Sequence, residues 1–386
     1  MFRDGNVYLW GFKEVTDESQ FIDNILSGKK EIKLATHVLQ FVFLGFTGVR
    51  FPLFHFPTEQ TSAPELSLLF WKIVNIISTF GFKIQYVSLD GAQTNRDFAK
   101  LLLGTFKSDL IKTMTVRNIF SFKQEPIFVI MDYSHLIKKT RNNLHKSGRL
   151  DSYKRQLKFN CHFIYWEYFV NAYMWDITHN PFPVYQKVRQ DHFQLTSESK
   201  MRNSLAEDVL NKDMLNVMRC YAASLNDSDH LKNTISLLEQ TSILIANFRD
   251  RPPIREVGDI RLIENDKVLN WFCEWESEVL NNDQVKDKEF FLISHDTCSL
   301  IIGFRELCDH RLKHSSGSIV PSRINSDIIA NVFCQQRGLY NGNNTNPTCL
   351  NYCRTMNTVI LGQTTISRKS NASPHQTATE PFIKHL

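Results

Sequence analysis

The sequence predicts a mixed α/β sheet carrying helices, then a long all-helical region, then a short return to the first texture. Three observations predict this. Apolar, β-branched and aromatic runs cluster in the first third, at 34–46, 50–56, 82–90 and 127–131, with helical segments between them. From about 135 to 285 strand-like runs give way to helical spacing, as at 159–176, 201–223 and 231–248. Helical runs at 288–313 and 326–335 follow, separated from the end of the chain by the loop GLYNGNNTNPT. The expected organisation is an α/β part over 1–134, a helical insertion over 135–285, a return over 286–362 and a disordered tail over 363–386.

Each element has a local reason. NVYLWGF (6–12) alternates as a short strand does. LATHVLQFVFLGF (34–46) reads as a long central strand, with 50–56 as its continuation or its partner. Ser62 precedes Ala63, Pro64 and Glu65, a helix start with proline in the first turn, where its missing N–H is harmless. That helix runs to about Phe80 and stops at Gly81. FKIQYVSLD (82–90) is a β-rich run ending on Asp90, GAQTN is a turn, and a helix covers about 95–103. IFVIM (127–131) is a buried strand ending at Asp132.

Composition narrows the function classes. The chain has 386 residues, 42% of them hydrophobic, enough for a sizeable core. The net charge of +5 permits a polyanionic partner and does not demand one. The eight cysteines include no CxxC pair, and Cys349-x3-Cys353 has no second pair after it, so a zinc site is not expected. Reduced and mostly buried thiols are expected instead. Residues 1–20 lack the apolar core of a signal peptide. The apolar run 38–56 contains Arg50 and Pro52 and reads as buried sheet, not as a membrane span. There is no Walker A sequence, because Gly28-Lys29 lacks the upstream glycine and the following Ser or Thr.

Chemistry centres on Asp90. A carboxylate at the C-terminal end of a strand, followed by a glycine turn, stands on a rigid base and stays open to substrate. Read locally, the same residue is a turn aspartate that bonds its own backbone. The wider context favours the first reading. LATHVLQFVFLGF (34–46), RFPLFHF (50–56), VSLDGAQTNRDF (87–98), MDYSHLIKKTRNNL (131–144) and INSDIIANVFCQQRGLYNGNNTNPT (324–348) occur in this order. Together they resemble the P-element-type DNA transposases, the group that includes the THAP-domain transposases. The resemblance extends to about Ala372.

The resemblance implies an RNase H-like fold, a mixed sheet interrupted by an all-α insertion domain that binds guanine nucleotide. WEYFVNAYMWD (166–176), HFQLT (192–196) and KMRNSLAEDVL (200–210) resemble the family's insertion helices; Trp166, Trp175 and Leu195 there read as core. It identifies no nucleotide-contacting residue. It implies Mg²⁺-dependent cleavage and transfer of DNA strands, with two metals held by three carboxylates. The second of these is Asp90. The first belongs on a strand upstream of NVYLWGF, and Asp4, in the turn before that run, does not take its role. The third is a Glu in a pattern like Asp-x-x-Glu-Asn-x-Phe, which here reads Asp327-Ile-Ile-Ala330-Asn331-Val-Phe333. Ala330 occupies the expected Glu position and cannot bind metal; Asp327 reads as a helix cap.

The expectation is therefore a chain without the N-terminal zinc finger and the first catalytic strand, inactive as written. A non-catalytic DNA- or GTP-binding domesticated remnant is the alternative, and a by-product without a selected role is a third. Lys138, Lys139, Arg141 and Arg337 are candidate phosphate contacts, with Arg354, Arg368 and Lys369 behind them. His135 reads as a packed, hydrogen-bonded residue. The implied setting is the nucleus, with DNA ends as partner, a homo-oligomer and no membrane.

Overall fold

A computed structural model gives the fold. It describes residues 35–104, 113–150, 152–281, 294–314, 317–339 and 349–361, with Phe2–Arg3, Asn6–Val7 and Ser27. Asp4, Arg368, Lys369 and the expected tail lie outside the described residues. The chain divides into two compact units, Met1–Leu66 with Asp327–Leu386, and Ser67–Ser326.

In the first unit, β1 (Phe2–Arg3) pairs antiparallel with β2 (Asn6–Val7), which is all of NVYLWGF that is described. Strand β3 (His37–Leu44) pairs antiparallel with β4 (Arg50–Thr58), so 50–56 is a partner and not a continuation. The chain turns between them at Gly48, whose φ of 97° suits glycine. Gln40 is buried, and its amide is saturated: Nε2 donates to the carbonyls of Phe41 and Phe54, and Oε1 accepts from the Tyr352 hydroxyl at 2.7 Å. Tyr352 belongs to α12 (Cys349–Leu361), which packs on α11 (Asp327–Gly338) through Val332, Tyr352 and Met356.

Helix α1 (Ala63–Thr79) starts where its sequence says. Ser62 and Glu65 cap each other: the Ser62 N–H and hydroxyl donate to Glu65 Oε2, and the Glu65 N–H donates to Ser62 Oγ. In the second unit, β5 (Tyr86–Leu89) lies parallel to β7 (Pro126–Met131), and β6 (Thr115–Arg117) is antiparallel to β7 on its other side. The sheet order is β5-β7-β6, with β7 buried in the centre. Helix α2 (Gln93–Leu103) covers this sheet, placing Ala99 against Val129 and Met131. The short β6 carries no apolar run and was not expected.

Helix α3 (Tyr133–Leu144) follows β7 and opens the helical region. A two-residue hairpin, β8 (Lys158–Phe159) with β9 (His162–Phe163), occupies what reads as helix from 159. Asn160 and Cys161 have φ of 44° and 64°, which a helix cannot contain. Helix α4 (Trp166–His179) begins only after it. The expected helix 201–223 is α5 (Ser197–Met201), α6 (Asn203–Leu210) and α7 (Lys212–Ser224), broken at Arg202, where the backbone is extended, and at Asn211, whose side chain accepts from the N–H groups of Asp213 and Met214. Helices α8 (Lys232–Arg249) and α9 (Ile260–Asn281) complete the bundle. Trp166 is buried, and Trp175 and Leu195 are half-buried.

Helix α10 (Ser294–His314) returns to the sheet and lies on β7. Its Glu306 carboxylate accepts from the Met114 N–H and the Thr115 hydroxyl at the start of β6. Gly303 permits the approach: a Cβ there would stand 2.2 Å from the Val129 carbonyl oxygen. Among the described residues, no helix is long and apolar enough to cross a membrane. Of the seven cysteines whose burial is described, Cys308 is buried and the rest are half-buried or exposed, against the expectation for most. Gly303→Ala should lower stability by about 1–3 kcal/mol in urea unfolding, because backbone must shift. Gly338→Ala, with open space at its Cβ, should change it by less than about 0.5 kcal/mol.

Candidate active site at the ends of the parallel strands

The register of β5 and β7 sets the site. Leu89 lies opposite Met131, and the Asp132 N–H donates to the Leu89 carbonyl at 2.7 Å. Asp90 and Asp132 therefore leave adjacent parallel strands at the same level, at their C-terminal ends. Ligands of open α/β sheets bind at such strand ends.

The two carboxylates are held differently. Asp90 is half-buried, and its Oδ1 accepts from the Ala92 N–H at 2.9 Å and from Asn95 Nδ2 at 2.6 Å. These bonds brace the turn into α2. Its Oδ2 has no hydrogen-bond partner among the described residues. Asp132 is fully engaged. Its Oδ2 accepts from the His135 N–H at 3.0 Å and lies 2.7 Å from His135 Nδ1, capping α3, and its Oδ1 accepts from the Ser326 N–H at 2.9 Å.

Burial pushes the Asp132 carboxyl up, but the His135 and Ser326 bonds outweigh it and hold it at about 2. Burial pushes His135 down, but Asp132 outweighs that and raises it above the ordinary imidazole value, with Asp90 adding to the pull. The packed, hydrogen-bonded reading of His135 describes its geometry, and 30% of its side chain still faces solvent.

A third carboxylate arrives from far along the chain. Asp296, in the first turn of α10, takes a two-pronged bond from Arg96 at 2.7 Å on each oxygen and a third from Lys139 at 3.0 Å. Gly91 sits against this group: a Cβ there would stand 3.0 Å from Asp296 Oδ2 and 3.1 Å from Arg96 Nη2. A side chain there would require that pair to give by a few tenths of an ångström. The bond to Asp296 raises Arg96, whereas burial lowers Lys139 by more than Asp296 restores. Arg96 and Asp296 were not among the residues singled out, since 200 positions separate them and no spacing links them.

The remaining candidates are placed as follows. Lys139 is committed to Asp296. Lys138 is half-buried and adds positive charge near His135. Arg141 is 0% exposed and donates to the carbonyls of Ser199 and Lys200 at the end of α5, so its guanidinium points into the fold and not towards a phosphate backbone. Its spacing from Ile137 and Leu144 on the buried face of α3 was the signal for this. In the other unit, Ala330 is half-buried on α11, Asp327 begins that helix and is buried, and Arg337 and Arg354 are exposed.

These residues do not fit a two-metal centre as they stand. Asp132 and Asp296 use both oxygens on protein donors, which leaves Asp90 with one oxygen free. Among the described residues, no group of three or more His, Cys, Asp or Glu side chains could hold a metal ion.

The fold is an RNase H-like mixed α/β architecture with a helical insertion. Among solved structures, the chain is similar to one described as the Drosophila P element transposase strand transfer complex, with a TM-score of 0.69 and 17% identity over 92% of this chain and 76% of that one. No family model and no curated protein matches it. At that identity the likeness establishes a P element transposase-like fold.

The Asp132–His135 pair predicts a pH signature. His135 is raised when folded, so its contribution is complete below about 6.5 and fades as pH climbs through the raised value. Asp132 is depressed, so its contribution is complete above about 4 and fades towards about 2. His135→Gln should destabilise by about 1.5–3 kcal/mol at pH 6 and by less at pH 9, read from denaturation midpoints.

Proposed function

We propose that this chain is a P-element-type transposase-like protein, of the THAP-domain group, that engages DNA and does not cut it as written. The observation that carries the proposal is Asp90, at the end of the parallel strand pair in a P element transposase-like fold, with every other carboxylate around it already bonded. By resemblance Asp90 is the surviving metal ligand, Mg²⁺ the metal and Ala330 the substitution that disables the site. Residues 1–134 and 286–362 are the RNase H-like part and 135–285 the insertion.

The likeness to a complex of transposase caught in strand transfer supports DNA as the partner. Lys138 and Arg337 are the phosphate contacts this reading retains, since neither is buried. By the same resemblance, the setting is the nucleus and the assembly a homo-oligomer that brings two transposon ends together. Guanine nucleotide in the helical insertion belongs to the same reading, by resemblance alone. The non-catalytic remnant is the version of this proposal that the bonded carboxylates favour.

A strand-cleavage assay with Mg²⁺ or Mn²⁺ tests the proposal. The unmodified chain should leave DNA intact, and cleavage that disappears in Asp90→Asn would overturn the inactive reading. Ala330→Glu reports whether restoring one carboxylate restores any cutting. For the nucleotide, titration should show GTP binding below millimolar concentration and ATP binding more weakly; no binding of either removes the insertion's assigned role.

A further inference from the structure

A thiol pair lies between the last two long helices of the second unit, away from the strand ends. Helices α9 and α10 pack against each other, and their register is fixed by Asp266 and Arg305, whose charged atoms are 3.2 Å apart. Seven residues on along α9, and seven back along α10, stand Cys273 and Cys298. Seven residues are about two turns of each helix, so an antiparallel pair brings these positions face to face as well. The thiols hydrogen-bond to each other. Both are half-buried, accessible to a small reagent and sheltered from bulk solvent.

We propose that Cys273 and Cys298 are a modification site, a thiol pair that oxidised glutathione converts to an internal disulfide joining α9 to α10. Their roles follow from the hydrogen bond. Cys298 donates to Cys273, which lowers Cys273 to about 7 against the opposing effect of burial and raises Cys298. Cys273 is therefore the attacking thiolate. It attacks one sulfur of glutathione disulfide, forming a mixed disulfide and releasing one glutathione thiolate. The Cys298 sulfur then attacks the Cys273 sulfur, releasing the second glutathione thiolate, which takes up the proton that Cys298 loses. Two thiols are oxidised and one glutathione disulfide is reduced to two glutathiones. The cross-link would tie the end of the helical region to the helix that lies on β7.

The test uses the full chain with the exposed Cys161 and Cys220 changed to serine, so that they do not react. After incubation with oxidised glutathione, intact mass should show the loss of two hydrogens, and peptide mapping should link Cys273 to Cys298. The melting temperature should rise by about 5 °C and return with dithiothreitol. Cys298→Ser should stop at a glutathione adduct on Cys273, and Cys273→Ser should leave Cys298 unmodified. A stable glutathione adduct on the pair with Cys298 intact, a disulfide to another cysteine, or no reaction at Cys273 would each overturn the proposal.

Discussion

The parallel pairing of β5 with β7 is the constraint on which the second unit depends. It brings the Asp132 N–H to the Leu89 carbonyl and so fixes the level at which both strands end. Asp90 then turns into α2, and Asp132 caps α3, so the starts of two helices are set by one register. Apolar side chains from Ile127 to Met131 make β7 a buried central strand, and α2 and α10 supply its cover. Gly303 lets α10 come within reach of the β7 backbone, and Glu306 on the same helix ties down β6. A one-residue slip would take the two aspartates off the same level at the strand ends.

The chemistry follows from how charges are spent at that edge. A carboxylate whose oxygens are all taken by protein donors is a poor candidate for exchange with a metal. Asp132 and Asp296 are both in that condition, one serving a helix cap and a histidine, the other an arginine and a lysine. Asp90 differs because the turn uses only one of its oxygens. The edge is therefore well suited to holding its shape and poorly supplied with ligands.

Much of the fold was legible from residue patterns. The apolar runs at 34–46, 50–56, 82–90 and 127–131 overlap the strands that form at 37–44, 50–58, 86–89 and 126–131, and Ser62 with Glu65 announces the cap that forms. What was missed has physical reasons. Strand β6 is three residues long, too short for its alternation to stand out as a strand. The hairpin at 158–163 depends on two left-handed residues, neither of them glycine. Asn211 breaks a helical run by capping the next helix, a signal present in its residue type.

The site was legible in part. Asp90 stands at a strand end, as its sequence context reads, and its Oδ1 makes the bonds of a turn aspartate. The Arg96–Asp296–Lys139 cluster was invisible, because only folding brings α2, α3 and α10 together. Arg141 misled by its charge, although its spacing on α3 placed it inside.

Mn²⁺ titration by isothermal calorimetry tests the central claim, that Asp90 lacks the partners of a metal site. The account predicts binding no tighter than millimolar, and the same weak signal in Asp90→Asn. Micromolar binding by the unmodified chain that disappears in Asp90→Asn would contradict it.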